Sequence, residues 1–588
     1  MSPQPDLLHD IFGFHGFRGR QAEVIDRVMA GRNTLAVMPT GAGKSLCYQY
    51  PSVALEGTVV VISPLIALMH DQLRAAEAVG IRAATLTSAD SNREESIARF
   101  RAGELDLLYV APERASNQAF RNLLEQAKIA LFAIDEAHCV SEWGHDFRPD
   151  YRLLRPLLDS FPAVPRLALT ATADTHTRAD ILTQLDIAEE GLIVAGFDRP
   201  NIRYHLSPRS NGSKQVIDLL KSQPGPGIIY VQSRAATEKL ASRIAATGRA
   251  TRIYHAGLGP DVRAANQAAF VASEDMVMVA TIAFGMGIDK PDVRFVAHAG
   301  LPKSIEAYYQ ETGRAGRDGD PAEAHLFWGS SDFALARQRL SEIEPARREA
   351  ERARLNSLAA LVETVDCRRA ILLRHFGESP PATCGNCDNC LNPPASVDAS
   401  VLAQKLLSAV HRTGHSFGIG HIEAVLTGKR DERIIARGHD ALSVFGIVEG
   451  EEMRLIRPLA RTLLAREALV QTEHGGLAFG PAARAILRGD DSIALILPPL
   501  KRKERRARET ASMPPADAAL FEALRAKRRD LALEAGVPPY VIFHDSTLRE
   551  MASLRPHTEA AMGEISGVGV RKLAEWGRHF IDVIDAFG

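Results

Sequence analysis

The feature that most limits the fold of this chain is a rhythm of short apolar runs, four to six residues each, separated by stretches with helical periodicity. Thr34–Met38, Thr58–Ser63, Leu105–Val110, Leu131–Asp135 and Arg166–Thr170 form a first series. Gly227–Val231, Arg252–His255, Val277–Thr281, Val293–Ala297 and Ala324–Phe327 form a second, which begins near Phe197. Such runs, rich in β-branched residues, Leu or Ala and bounded by Gly, Pro, Asp or Thr, read as buried parallel strands. With amphipathic stretches such as Leu65–Val79 between them they imply βαβ units. Two α/β domains in tandem follow. Beyond Ser330 the pattern turns long, charged and helical to about His375, then breaks into short helical and strand-like pieces from about Ser400 to Leu487, a small α+β unit. Pro498–Met513 carries Lys501, Arg502, Lys503, Arg505, Arg506 and Arg508 and reads as a solvated linker, and Pro514–Gly588 returns to helical periodicity.

Composition bounds what such a chain can do. The 588 residues suggest about four domains. Lys and Arg total 70 against 72 Asp and Glu, so any nucleic-acid partner must be met by local clusters of basic residues. No run of about 18 apolar residues occurs, which argues against a membrane-spanning helix. The first residues, MSPQPDLLHD, have neither a basic nor an apolar leader segment, so no secretory signal is expected. Of the six cysteines, four are crowded between Cys367 and Cys390. This points to a reducing compartment with one metal site and away from a disulfide framework. Cys47 and Cys139 read as small packing residues.

Three constellations carry chemistry. Met38-Pro39-Thr40-Gly41-Ala42-Gly43-Lys44-Ser45 follows an apolar run and opens an amphipathic helix. The glycines can turn N–H groups toward phosphate, Lys44 can reach the β- and γ-phosphates, and the Ser45 hydroxyl can bind Mg²⁺. Met38 stands where the generic phosphate loop has its first glycine. Asp135 and Glu136 end the Leu-Phe-Ala-Ile run, so two carboxylates emerge at the C-terminal edge of a strand, where open α/β sheets bind ligands. Asp135 would hold Mg²⁺, and Glu136 would orient and deprotonate the attacking water. In the second domain, Arg314 and Arg317 of QETGRAGR stand three apart, on one face if the segment is helical, and suit charge stabilisation on a γ-phosphate. A nucleotide, ATP, would then lie between the two domains. The tract from Trp143 to Tyr151 adds His145, Phe147 and Arg148, stacking faces and a cation suited to unpaired bases. Finally, Cys367 is followed by sixteen residues and then by Cys384, Cys387 and Cys390. Four thiolates suit a closed Zn²⁺ site; an iron–sulfur cluster or a redox pair uses the same residues.

Together these residues resemble superfamily-two helicases and, in detail, the RecQ family of DNA helicases, from Phe14 to about Gly588. Phe17-Arg18 and Gln21 resemble the adenine-reading motif, Ser63–Met69 a motif that contacts single-stranded DNA, and Ala137–Tyr151 the family's aromatic-rich coupling loop. Leu169–Ala173, Tyr254–Leu258 and Thr281–Pro291 resemble further coupling, DNA-facing and ATP-facing motifs. The resemblance implies two tandem RecA-like parallel-sheet domains followed by a zinc-binding subdomain, a winged-helix domain and a small helical HRDC bundle. Boundaries are expected at 1–196, 197–343, 344–395, 396–490, a basic linker 491–513, and 514–588. It implies an ATP-dependent 3′–5′ helicase that unwinds duplex and branched DNA in recombination, repair, the SOS response and replication maintenance. Lys44, Asp135, Glu136, Arg314 and Arg317 are implied in catalysis. Phe17, Arg18, Gln21, Thr40, Gly41, Gly43, Lys44 and Ser45 are implied in nucleotide binding, with Ser45 and Asp135 on magnesium. Trp143, His145, Phe147 and Arg148 are implied in DNA coupling, and zinc at Cys367, Cys384, Cys387 and Cys390. Arg412, His415 and Arg430 are candidate duplex contacts, and the Gly567–Gly569 turn a candidate phosphate contact. Expected partners are single-stranded and branched double-stranded DNA and a single-strand-binding protein. A cytoplasmic, nucleoid-associated monomer without membrane contact is expected. An RNA helicase and a DNA-binding scaffold that uses ATP only as a switch are the rival readings; the cysteine cluster and the complete hydrolytic set argue against them.

Overall fold

The computed structural model describes residues 5–64, 66–87, 90, 92–115, 117–141, 148–284, 290–340, 344–394, 396–472, 476–496 and 515–587. The first series of apolar runs forms one wholly parallel sheet. Its strands are β1 (Thr34–Val37), β2 (Thr58–Ile62), β3 (Ala83–Leu86), β4 (Leu107–Val110), β5 (Ile129–Ile134), β6 (Arg166–Thr170) and β7 (Leu192–Val194). They lie in the order β3-β4-β2-β5-β6-β1-β7. Successive side chains of a strand enter opposite cores: Leu35 and Val37 pack on one face of the sheet, Ala36 and Met38 on the other. Burial on both faces is why these strands are apolar without alternation.

The second series forms another parallel sheet from β8 (Ile202–Pro208), β9 (Gly227–Tyr230), β10 (Thr251–Tyr254), β11 (Val277–Ala280), β12 (Phe295–His298) and β13 (Ala322–Trp328), ordered β10-β11-β9-β12-β13-β8. The edge strand β8 is the one that sequence pattern hides. Tyr204 and Leu206 are buried while Arg203 and His205 are half-exposed, so it alternates, as the start of its neighbour β13 does, where the central strands β9, β11 and β12 do not. β3 and β7, with three or four residues each, are equally inconspicuous.

Helices Ser330–Leu340, Pro345–Glu363 and Arg368–His375 follow, and the last carries the chain into the cysteine loop. That loop is fastened to β8: Tyr204 bridges to Cys387, the Arg203 guanidinium donates to the Asn386 amide oxygen at 3.0 Å, and the Leu206 N–H donates to Asp388 at 2.9 Å. A small α+β unit comes next. Helices Ser400–Arg412, Ile419–Leu426 and Ile456–Ala465 pack with a two-stranded ribbon, Leu469–Gln471 against Leu477–Phe479. Between these helices, residues 443–446 form a turn. The basic segment Pro498–Met513 lies outside the described residues.

The terminal helical bundle sits against both α/β domains. On the first, the Gly567 N–H donates to the Gly13 carbonyl at 2.8 Å and Arg571 donates to the Glu77 carbonyl at 2.6 Å. On the second, Arg525, Arg528 and Arg529 converge on the Glu274 carboxylate at 2.9, 2.9 and 2.7 Å, and Arg549 pairs with Asp320. The Gly567–Gly569 turn is therefore a docking element here, not a phosphate seat: a Cβ on Gly13 would lie 2.6 Å from the Gly569 nitrogen. Among the described residues no helix is long and apolar enough to cross a membrane.

Candidate active site and metal centre

The phosphate loop leaves the C-terminal end of β1, held between β6 and β7, and the Met38 N–H donates to the Thr170 carbonyl at 2.9 Å. Gly41 and Gly43 adopt φ of +84° and +71°, open to glycine at no steric cost. Gly43 is doubly required, because a Cβ there would lie 2.6 Å from the Gln21 amide nitrogen. Gln21 threads this loop: its side-chain N–H₂ donates to the Ala42 and Gly43 carbonyls at 2.9 and 3.1 Å, and its oxygen accepts from the Arg18 N–H at 2.8 Å. Phe17 packs edge-on against Tyr50, and the Arg18 guanidinium lies over Phe14. The Lys44 ammonium donates to the Met38 carbonyl at 3.2 Å and lies folded back over the loop. The structure thus gathers Phe17, Arg18, Gln21, Thr40, Gly41, Gly43, Lys44 and Ser45 around one loop.

β5 delivers the acidic pair beside it. Asp135 is buried, and its N–H donates to the Ile62 carbonyl on β2 at 2.9 Å. Burial, and then the neighbouring Glu136 charge, push the Asp135 carboxyl up to about 7, against the pull of Lys44. Glu136 takes φ +48°, a left-handed conformation that costs a non-glycine residue energy and is found where surrounding structure enforces it. Three contacts enforce it here. The Glu136 N–H donates to the Asp135 carboxylate at 2.9 Å, the Tyr151 hydroxyl donates to the Asp135 carbonyl at 2.9 Å, and His138 lies 3.3 Å from the Glu136 carboxylate. His138 also contacts the Thr170 hydroxyl at 2.9 Å, which ties the acidic pair to the Leu169–Ala173 motif at the end of β6. Arg148 donates to the Pro64 carbonyl at 3.0 Å, joining the end of the aromatic tract to the Ser63–Met69 motif. Trp143, His145 and Phe147 lie outside the described residues, as do Gly285–Asp289.

The second domain corrects one expectation. The helix Ile305–Thr312 stops before the arginines, because Gly313 ends it and Gly316 turns the chain at φ +57°. Arg314 and Arg317 therefore do not share a helical face. Arg314 is buried beside Tyr230 in its own domain. Arg317 lies across the cleft against the phosphate loop, where a Cβ on Gly41 would meet its side chain at 3.4 Å. Sequence reasoning missed the residue that organises this junction. Arg199 donates to the Thr40 carbonyl of the phosphate loop at 2.5 Å and, in the arginine loop, to the carbonyls of Gly313, Ala315 and Gly316 at 3.1, 2.9 and 2.8 Å. Asn201 supports the same loop at the Gly316 and Asp320 carbonyls. The only sequence signal was an isolated Asp-Arg-Pro-Asn after Phe197, with no periodicity to mark it.

The four cysteines converge. Their sulfurs lie within 4.8 Å of one another, with Cys367–Cys387 and Cys384–Cys390 at 3.9 Å. Tetrahedral Zn–S bonds of about 2.3 Å place ligand sulfurs roughly 3.8 Å apart, so these thiols fit zinc closely. Cys47 and Cys139 are fully buried packing residues. In the α+β unit, Arg412 is exposed and Arg430 extends over Phe445, while His415 is paired with His411 at 3.1 Å.

Two parallel sheets, one bearing a phosphate loop and an acidic pair and the other an arginine loop seated on it, define a nucleotide-driven motor of the helicase class. Family models agree along the chain: DEAD/DEAH box helicase over residues 18–181, helicase conserved C-terminal domain over 212–319, RecQ zinc-binding over 330–391, RQC domain over 393–504 and HRDC domain over 517–584. The chain is 41% identical over 587 residues to the ATP-dependent DNA helicase RecQ of Pasteurella multocida, covering 98% of this chain and 93% of that protein. It is 38% identical over 594 residues to the ATP-dependent DNA helicase RecQ of Bacillus subtilis, covering 99% and 98%. The RecQ-like DNA helicase BLM of Xenopus laevis is 33% identical over 638 residues, covering 99% of this chain and 46% of that protein. The chain belongs to the RecQ family of ATP-dependent DNA helicases. It is an ATP-hydrolysing DNA helicase with two RecA-like domains, a zinc-binding unit, a winged-helix unit and an HRDC bundle, in a family of recombination and repair enzymes.

Proposed function

We propose that this helicase translocates 3′ to 5′ along one DNA strand by opening and closing the cleft between its two RecA-like domains. The observation that carries the proposal is the junction at the cleft, where Arg199 and Arg317 of the second domain meet the phosphate loop of the first. In this reading Gly41, Gly43 and Lys44 bind the phosphates, Thr40 lines the loop, and Phe17, Arg18 and Gln21 recognise adenine. Ser45 and Asp135 would hold magnesium, Glu136 would orient water, and Arg314 and Arg317 would respond to the γ-phosphate. Bound MgATP would supply phosphoryl transfer, whose free energy drives the stroke. His138 carries the state of Glu136 to Thr170, and Arg148 carries it to the Ser63–Met69 segment. Trp143, His145 and Phe147 supply the stacking faces for unpaired bases. The domains are proposed as 1–196, 197–343, 344–395, 396–490 and 514–588, with 491–513 as linker. We further propose action on forks and branched duplexes during the SOS response and replication maintenance, with a single-strand-binding protein as partner, by a cytoplasmic, nucleoid-associated monomer. Strand displacement on duplexes bearing only a 3′ or only a 5′ single-stranded tail tests the polarity. Unwinding is expected from the 3′ tail alone, and equal unwinding from the 5′ tail would reject it.

A further inference from the structure

Outside the nucleotide and cysteine sites, the edge of the second sheet presents a second chelating set. β8 and β13 run parallel with His205 directly opposite His325, and Glu323 stands two residues before His325 on the same face. The imidazoles lie face to face, centroids 4.8 Å apart and 7° from parallel. Both aim the Nε2 nitrogen at one carboxylate oxygen: His325 is 2.9 Å and His205 3.8 Å from Glu323 Oε2. The three donor atoms lie within 4.8 Å of one another, and the side chains are 30%, 25% and 11% exposed for His205, Glu323 and His325. Around them, Gln223 donates to Glu323 Oε2 at 2.6 Å and Arg203 stands 3.7 Å from Oε1. The carboxylate is therefore held in place by groups that do not themselves bind metal, the arrangement that orients ligands in metal sites.

We propose that His205, Glu323 and His325 bind a divalent transition metal of the zinc and cobalt class, in a site separate from the four cysteines. Ligands at about 2.0–2.1 Å from a tetrahedral centre stand roughly 3.3 Å apart, and the 2.9 and 3.8 Å separations bracket that value. Because the rings are stacked 7° from parallel, each imidazole would have to turn about its broad χ2 torsion to aim its lone pair at a shared ion. Two imidazoles and one carboxylate select borderline metals over Mg²⁺ and Ca²⁺, which favour oxygen ligands, and leave a fourth position to water. The metal would join the edge strand β8 to β13. His205 lies between Arg203 and Leu206, the residues that bond the cysteine loop through Asn386 and Asp388. Occupancy would therefore stiffen the seat of that loop.

The test uses the full-length protein, dialysed against a mild chelator until elemental analysis gives about one zinc per chain, then titrated with Co²⁺ and followed by visible absorption. Wild type is expected to take about one cobalt equivalent beyond its zinc. The bands should be those of a nitrogen- and oxygen-liganded ion, without the intense thiolate charge transfer of a cysteine site. His205→Gln and Glu323→Gln should each lose that uptake while keeping the same zinc content, and wild type alone should gain thermal stability with added metal. No uptake by wild type, or equal uptake by wild type and Glu323→Gln, would overturn the proposal. If His205→Gln fails to fold, seen as lost zinc, wild type and Glu323→Gln decide the matter.

Discussion

Replacing Arg199 by Ala tests whether the junction between the two RecA-like domains governs hydrolysis. Its guanidinium joins one carbonyl of the phosphate loop to three of the arginine loop. A hydrogen bond from a charged donor contributes about 1.5–3 kcal/mol, so the four contacts, shared by two nitrogens and not additive, are together worth about 2–4 kcal/mol. Asn201 still holds the Gly316 and Asp320 carbonyls, so the loop should stay folded but lose its fixed position against Gly41. If about half of that energy is felt only when the loops must meet the transferring phosphate, turnover falls roughly 5- to 30-fold, at 1.36 kcal/mol per factor of ten. Nucleotide affinity should change less than about threefold, because Gln21 and Lys44 are untouched. The assay is DNA-stimulated ATPase with kcat and KM separated, alongside binding of a fluorescent nucleotide. Arg199→Lys should recover part of the loss, since an ammonium restores charge but not the planar fork. A wild-type kcat in a folded Arg199→Ala protein would refute the reasoning.

The remaining predictions concern metals and docking. Asp135 titrates near 7, raised by burial and by Glu136, so protons compete with Mg²⁺ below that pH. The half-saturating Mg²⁺ for ATPase should therefore rise as pH falls from 8 to 6; an unchanged requirement would remove Asp135 from the metal site. Cys384→Ser should lose zinc and become protease-sensitive near Arg368–Leu391, because metal binding there is local folding energy; full zinc content with an intact fold would count against a four-thiolate site. Glu274→Arg turns the attraction of Arg525, Arg528 and Arg529 at 2.7–2.9 Å into repulsion and should release the HRDC bundle. Small-angle scattering should show a larger radius of gyration, and an unaltered profile would mean that Glu274 does not hold the bundle.

What could be read from the residues was what local chemistry fixes. The central parallel strands showed as unbroken apolar runs because both their faces are buried. The phosphate loop and acidic pair showed because the backbone demands glycine at Gly41 and Gly43 and because two carboxylates end an apolar strand. The thiols at Cys367, Cys384, Cys387 and Cys390 showed because metal ligands are rare residues at set spacings. Composition and spacing carry such features since each depends on residues near in sequence or on an unusual side chain. Tertiary structure decided the rest. Arg199 matters through carbonyls of Thr40 and Gly316, 159 and 117 residues away, and a carbonyl acceptor leaves no mark in sequence. Arg314 and Arg317 parted because Gly313 and Gly316 break the helix that their spacing suggested. Glu274 gained its role only when a bundle more than 250 residues downstream folded back onto it. His205 and His325 meet through the register of β8 on β13, two strands that are distant in the chain. Long-range pairing of backbone and charge depends on where the whole chain places each group, and no local pattern encodes that.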